Sequence, residues 1–208
     1  MNDFQRPIQV AVSHADPLLA EGVRQALLGA RGITLWAGPA DADAVASAGA
    51  DVLVSDYEAG MGVLSGHRDR AGCAVLIVSR RDCEVDIHRA LQSGVGGYLL
   101  AGCSLDELVI AVRTVGRGGR HICDRAANVA AQSLMRTPLT AREAEVLRLM
   151  ADGLSNKRIS IRLDIALGTV KAHTKAILAK LEAASRTEAT AVAEQRGLLG
   201  AELRTDAR

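Results

Sequence analysis

The chain has four lysines, at positions 157, 171, 175 and 180, and none among its first 156 residues. Three of them lie in the run Gly168-Thr-Val-Lys-Ala-His-Thr-Lys-Ala-Ile-Leu-Ala-Lys-Leu181. Wound at 3.6 residues per turn, the run puts Val170, Thr174, Ile177, Leu178 and Leu181 on one side. Gly168, Lys171, Ala172, Lys175 and Ala179 form a stripe on another. The first side can pack; the second carries ammonium groups on almost no bulk. Such a stripe suits a helix lying in the DNA major groove, where small residues permit close approach and lysines reach phosphates or guanine edges. A second set of reactive types is spread through the first half of the chain: His14, Asp16, Asp56 and Ser79. Carboxylates beside a hydroxyl and an imidazole could hold a cation, accept a phosphoryl group, or only cap backbone N–H groups.

The elements that must position these residues are legible as patterns. The helix pattern Asn156-Lys-Arg-Ile-Ser-Ile-Arg-Leu163 precedes the lysine-bearing run. The connection Asp164-Ile-Ala-Leu-Gly168 carries a glycine expected to make the turn, so the pair reads as helix-turn-helix. In the first half, strands are expected at Ile8 to Val12, Ile33 to Ala37, Asp51 to Ser55, Ala74 to Val78 and Gly97 to Leu100. Helices are expected from Pro17 to Leu28, weakly from Ala40 to Ala48, from Asp82 to Ser93 and from Ser104 to Val115. Apolar strands alternating with helices imply a parallel sheet covered on both faces. Five such units fit a doubly wound, flavodoxin-like α/β domain, whose ligand chemistry gathers at the carboxyl ends of the strands. Those ends are His14, Ala15 and Asp16, then Asp56, Ser79 and Ala101. The Ala-rich stretch 123–137 reads as a linker, helical at first and ending at Met135-Arg-Thr-Pro138. The expected division is a domain over 1–122, the linker, and an all-α four-helix domain over 138–208.

Composition agrees with two small domains in 208 residues. Hydrophobic residues make up 49% and aromatics 2%, so the cores must be aliphatic. The net charge of +1 divides unevenly: residues 138–208 hold 12 Lys+Arg against 9 Asp+Glu, and residues 1–137 hold 13 against 15. The basic excess sits with the helix-turn-helix. Cys73, Cys83, Cys103 and Cys123 lack a CxxC pair or a nearby histidine cluster, which argues for reduced thiols and against a metal site. The N-terminal segment lacks an apolar secretory core and no apolar run approaches the ~18 residues of a membrane span. A cytoplasmic protein with no membrane partner is expected.

Beyond pattern, Leu139-Thr-Ala-Arg-Glu-Ala-Glu-Val-Leu-Arg-Leu-Met-Ala-Asp-Gly-Leu-Ser-Asn-Lys-Arg-Ile159, Gly168-Thr-Val-Lys-Ala-His173, Leu178-Ala-Lys-Leu181 and Arg186-Thr-Glu-Ala189 resemble the LuxR-type DNA-binding domain. By that resemblance the helix bearing Thr-Val-Lys-x-His is the recognition helix. Lys171, Ala172 and Lys175 would face bases, Thr169, Asn156 and Lys157 would lie nearer phosphates, and the last helix, Thr187 to Leu199, would form a dimer contact. Asp16-Pro-Leu-Leu-Ala-Glu-Gly22, Ala50-Asp-Val-Leu-Val-Ser-Asp56, Val75-Leu-Ile-Val-Ser79, Ala90-Leu-Gln-Ser-Gly-Val-Gly-Gly-Tyr-Leu-Leu100 and Ser104-Leu-Asp-Glu-Leu108 resemble the receiver domain of NarL/FixJ response regulators. The whole chain therefore resembles a response regulator of that family.

The receiver half departs from the family's chemistry. Phosphoryl transfer to aspartate needs an acceptor carboxylate, oxygen ligands for Mg²⁺ and a cation on the transferred oxygens. The resemblance supplies Asp56 as acceptor and Ser79 as hydroxyl, and Tyr98 matches the family's switch aromatic. The acidic pair falls on His14 and Ala15, and the lysine on Ala101. Asp16, one place past the pair, could turn inward and recover one carboxylate. The plainer readings are that Asp56 caps a turn, that Ser79 starts one, that Tyr98 is core and that His14 is a hydrogen-bonded side chain rather than a metal ligand. The expectation is a dimeric, sequence-specific transcription regulator that is no enzyme and holds no cofactor, with neither Mg²⁺ nor a sensor kinase controlling it. Its partners would be double-stranded DNA and a second copy of itself or a related regulator. The competing readings are a conventional regulator phosphorylated on Asp56, and a heterodimer partner with little DNA binding of its own.

Overall fold

The structure, a computed structural model, describes residues 6–38, 49–66 and 72–200. The chain divides into two compact units, a sheet with its helices and a bundle of helices toward the C-terminus.

The described elements up to residue 134 are β1 (Ile8–Ser13), α1 (Pro17–Leu27), β2 (Ile33–Leu35), β3 (Val52–Ser55), α2 (Tyr57–Gly66), β4 (Ala74–Ser79), α3 (Glu84–Gln92), β5 (Gly97–Leu100), α4 (Leu105–Gly116), β6 (His121–Ile122) and α5 (Asp124–Leu134). The strands run parallel in the order β2-β1-β3-β4-β5-β6. All four residues of β3 and of β5 are buried, as expected of strands covered on both faces. The sheet has six strands where five were expected, because His121 and Ile122 pair with Gly97 and Tyr98 at its edge. Two residues are too few to give a periodic signal.

Directly after Asp56, where the sequence pattern gave no helix, lies the helix α2. Gly60, Gly62 and Gly66 depress its propensity, yet packing requires the first of them. A Cβ on Gly60 would lie 2.7 Å from Ser55 Oγ and 2.9 Å from Ile77 Cγ1, so glycine lets α2 settle on the sheet. The helix expected over 40–48 lies outside the described residues. The stretch read as a helical linker begins with Cys123 and α5, and Cys123 and Ala126 of α5 belong to the sheet's core. All four cysteines are free thiols, and burial pushes the Cys103 thiol up.

The second unit contains α6 (Ala141–Ala151), α7 (Asn156–Leu163), α8 (Leu167–Leu181) and α9 (Arg186–Gln195). Its core is aliphatic: Val146, Leu147, Met150, Ile159, Val170, Ile177, Leu181, Ala189 and Ala193 are buried together. Burying a side chain of valine, leucine or isoleucine size contributes roughly 1.5–3 kcal/mol, so Val170, Ile177 and Leu181 anchor α8 by its apolar side.

Candidate functional site

Three of the four helices α6 to α9 described in the second unit start on a hydroxyl. Thr140 Oγ1 accepts from Glu143 N–H while Glu143 Oε2 accepts from Thr140 N–H, a capping box. Ser155 and Ser185 cap α7 and α9 by accepting from the Arg158 and Glu188 N–H groups. The exception is α8, which begins on Ala166 with no side-chain cap. Thr169 N–H donates to the Ala166 carbonyl at 2.9 Å, and the N–H groups of Leu167 and Gly168 are left to water or a ligand at the end where the helix dipole favours anions.

From that end runs the stripe read from the sequence: Gly168, Lys171, Ala172, Lys175 and Ala179 are all exposed, opposite buried Val170, Ile177 and Leu181. Thr169 is exposed beside it, and His173 is half-buried. On α7, Lys157 is exposed and Asn156 half-buried. The turn between the two helices is made by Asp164, in the left-handed conformation with φ 51°, and not by Gly168 as expected. Gly168 sits in the first turn of α8, where an added Cβ would meet nothing within 4 Å. Packing does not demand glycine there; the missing side chain leaves the backbone open to a close neighbour.

Lys180 differs from the other three lysines. Its Nζ donates to Glu143 Oε2 at 2.7 Å and to the Pro138 carbonyl at 3.0 Å. Glu143 is buried, and the Lys180 ammonium, aided by the Thr140 N–H, holds its carboxyl below the usual range. The pair joins the start of α6 to the end of α8. Lys157, Lys171 and Lys175 have no carboxylate partner among the described residues. Arg186 Nη2 donates to the carbonyls of Met150 (3.0 Å) and Leu154, tying α9 to the end of α6.

In the sheet unit, a shallow cavity of about 230 Å³ lies at the carboxyl ends of β1, β3 and β4. His14, Ala15, Asp16, Asp56 and Ser79 all line it, with Arg80 and Arg81. Tyr98 and Ala101 do not. Asp56 Oδ2 accepts from Ala15 N–H at 2.8 Å and Oδ1 from Ala59 N–H at 2.9 Å, so the carboxylate caps α2 and clasps the β1 loop. Asp16 does not turn inward to rebuild an acidic pair. Its Oδ1 caps α1 through Leu18 and Leu19 N–H groups, and its Oδ2 takes Arg80 Nη2 at 3.1 Å. His14 Nδ1 accepts from Asp16 N–H at 3.0 Å, which leaves the hydrogen on Nε2, 3.1 Å from the Val78 carbonyl. Ser79 Oγ accepts from Arg81 N–H at 3.1 Å. Ala101 N–H donates to the Ser79 carbonyl at 2.8 Å.

Tyr98 is fully buried, and its hydroxyl donates to the Arg81 carbonyl at 2.7 Å. The Arg81 guanidinium stacks on Tyr57, 4.6 Å from the ring centre, and pairs with Glu58 and with Asp86 at 3.5 Å. Sequence reasoning overlooked these two arginines. Their signal was position, directly after Ser79 at a strand's carboxyl end. Mg²⁺ is usually held by one or two carboxylates together with waters. Here each oxygen of Asp16 and Asp56 and both His14 nitrogens already take part in a hydrogen bond within the protein.

A parallel sheet with a strand-end aspartate, followed by a helix-turn-helix, defines a receiver-like domain joined to a DNA-binding one. Residues 137–193 match the family model for bacterial regulatory proteins of the luxR family. The chain is 32% identical to the nitrate/nitrite response regulator NarP of Escherichia coli K12, over 92% of this chain and 97% of that protein. It is 37% identical to the transcriptional regulatory protein DesR of Bacillus subtilis, a match that spans 62% of DesR's length. Among solved structures it is similar to the response regulator ChrA of a heme-sensing two-component system, with a TM-score of 0.54, 32% identity and coverage of 93% and 100% of the two chains. The fold is also that of RcsB in its DNA complex, with a TM-score of 0.66, 16% identity and coverage of 90% and 98%. The chain belongs to the NarL-type response regulators with a LuxR-type DNA-binding domain: it is a DNA-binding transcription regulator of the two-component class and not an enzyme. Among the described residues no helix is long and apolar enough to cross a membrane.

The uncapped start of α8 gives a direct test. Ala166→Ser is expected to stabilise the helical unit by about 0.5–1 kcal/mol by supplying the missing cap. It should weaken DNA binding severalfold, because Oγ would compete with phosphate for the same N–H groups. Thermal melts with a mobility-shift titration read both, and a stabilised variant with full affinity would remove the α8 N-terminus from the interface.

Proposed function

We propose that this regulator binds its operator as a dimer, reads it with α8, and is not switched by phosphorylation of Asp56. In this reading Lys171, Ala172 and Lys175 face the bases, while Thr169, Asn156, Lys157 and the first-turn N–H groups of α8 hold the flanking phosphates. What supports it is a bare, lysine-bearing helix face opposite a packed one. The dimer would use the free side of α9, where Thr187, Ala191 and Glu194 are exposed, and would set two half-sites one helical turn apart.

The observation that carries the second part is that each oxygen of the Asp56 carboxylate already accepts a backbone N–H, from Ala15 and from Ala59. Around it, Arg80 offsets Asp16, Arg81 offsets Glu58, and the uncharged Ala101 stands where the family has a cation. The pocket is balanced by the protein's own arginines, and an attack by Asp56 would loosen either the cap of α2, through Oδ1, or the clasp on the β1 loop, through Oδ2. The receiver then serves as a dimerisation or sensing module. Intact-mass measurement after incubation with acetyl phosphate and Mg²⁺ tests this, with Asp56→Asn alongside. No added phosphoryl group is expected, in a protein that still binds DNA. A phosphoryl group gained by the wild type and lost in Asp56→Asn would restore the conventional reading.

A further inference from the structure

At the end of the sheet opposite Asp56, four arginines surround a cavity of about 520 Å³. Arg6 precedes β1, Arg31 precedes β2, and Arg113 and Arg117 lie at the end of α4. Ile8 and Gly116 form part of its wall. The wall is built closely: a Cβ on Gly116 would come within 2.7 Å of Ile8 Cγ2, so α4 lies directly against β1. Arg113 is held in place by a 3.0 Å hydrogen bond from Nη2 to the Arg31 carbonyl.

Among the described residues no carboxylate lines the cavity. Asp51 is the nearby acid, 3.8 Å from Arg6, and its Oδ2 already accepts from Gln9 N–H at 2.7 Å. Arg31, Arg113 and Arg117 have no acidic partner among the described residues. One arginine in the last turn of α4 would suffice to complement the helix dipole. Four arginines lining one hollow concentrate positive charge that an anion would offset, and their planar donor forks match phosphate oxygens. A volume near 500 Å³ is that of a small-molecule site, roughly 300–1,000 Å³.

We infer that this arginine-lined floor of the receiver binds a small polyphosphate anion, one carrying at least two linked phosphate groups, such as an inorganic polyphosphate or a nucleoside polyphosphate. The inference does not depend on the state of Asp56. It assigns to the receiver a ligand of opposite charge to Mg²⁺, at the amino ends of the strands.

The test is isothermal titration of the full chain with sodium tripolyphosphate at low salt, without divalent cations. Saturable binding is expected. Each arginine removed should weaken it about tenfold, the strength of one charge-assisted hydrogen bond. R31A and R117A, singly and together, are suitable because both side chains are exposed, and melting curves would verify their folding. K171A/K175A, on the recognition helix, should bind tripolyphosphate as the wild type does. A nucleoside triphosphate, run beside tripolyphosphate, distinguishes the two sources of the same chemistry. No binding by the wild type, unchanged binding by R31A/R117A, or a loss confined to K171A/K175A would each overturn the proposal. So would a wild type that ignores tripolyphosphate while R31A/R117A weakens binding to a non-operator duplex, since the phosphates would then be those of DNA.

Discussion

Lys175→Ala is expected to weaken operator binding by about 1–3 kcal/mol, roughly five- to 150-fold, and to relax preference at one base-pair position in each half-site. Lys175 lies in the middle of the exposed stripe of α8, one turn beyond Lys171, with the small residues Ala172 and Ala179 beside it. In the proposed reading a lysine so placed would reach a guanine edge, where a good contact discriminates by that amount. Lys157→Ala, at the start of α7, should act differently. A phosphate contact carries no sequence information, so its loss should lower affinity evenly across sequences and reduce the salt slope by about one. Lys180→Ala supplies the contrast, since its ammonium is spent on Glu143 and Pro138. Titration of each variant against an operator and its single-base variants, at two salt concentrations, separates these outcomes. Unaltered binding by Lys175→Ala would remove α8 from the groove.

The second large effect is on stability. Glu143→Ala is expected to cost the helical unit about 3 kcal/mol, the lower end of the range for breaking a buried ion pair. The lower end applies because the Lys180 side chain, 21% exposed against 8% for Glu143, can partly reach water once abandoned. The same change opens the capping box at Thr140, which adds to the loss. Against a domain stability of about 5–15 kcal/mol this is a substantial fraction. The pair also fixes a pH dependence. Because folding holds the Glu143 carboxyl below its ordinary 4.5, its contribution is complete above that value. It is lost as pH falls through the lowered folded value. Urea unfolding of wild type and Glu143→Ala at neutral and acid pH should show a gap that narrows on acidification. A gap constant down to low pH would mean that packing, not charge, holds this corner.

The two faces of α8 were readable because a 3.6-residue period needs only residue types, and Val170, Ile177 and Leu181 are buried as that period requires. The strand ends were readable too: His14, Ala15, Asp16, Asp56 and Ser79 meet around one cavity as the parallel order implies. The helix α2 was hidden by its glycines, since the approach of Gly60 to Ser55 and Ile77 is a tertiary demand that overrides propensity. Asp164 was hidden for a related reason: a non-glycine residue in the left-handed region is uncommon, and the neighbouring glycine drew the assignment instead. The roles of Lys180, Arg80 and Arg81 rest on partners distant in sequence, from Glu143 to Asp16 and Glu58, which no local pattern reports.

The aliphatic core of the helical unit has an optical consequence. Every aromatic residue of the chain, Phe4, Trp36, Tyr57 and Tyr98, precedes position 99. Tryptophan fluorescence and near-ultraviolet dichroism are therefore blind to the interior of the DNA-binding half. Loss of the α6–α9 bundle registers only as far-ultraviolet helix signal, and a melt followed by Trp36 reports the sheet. Two probes on one sample thus separate the unfolding of the two halves without any label.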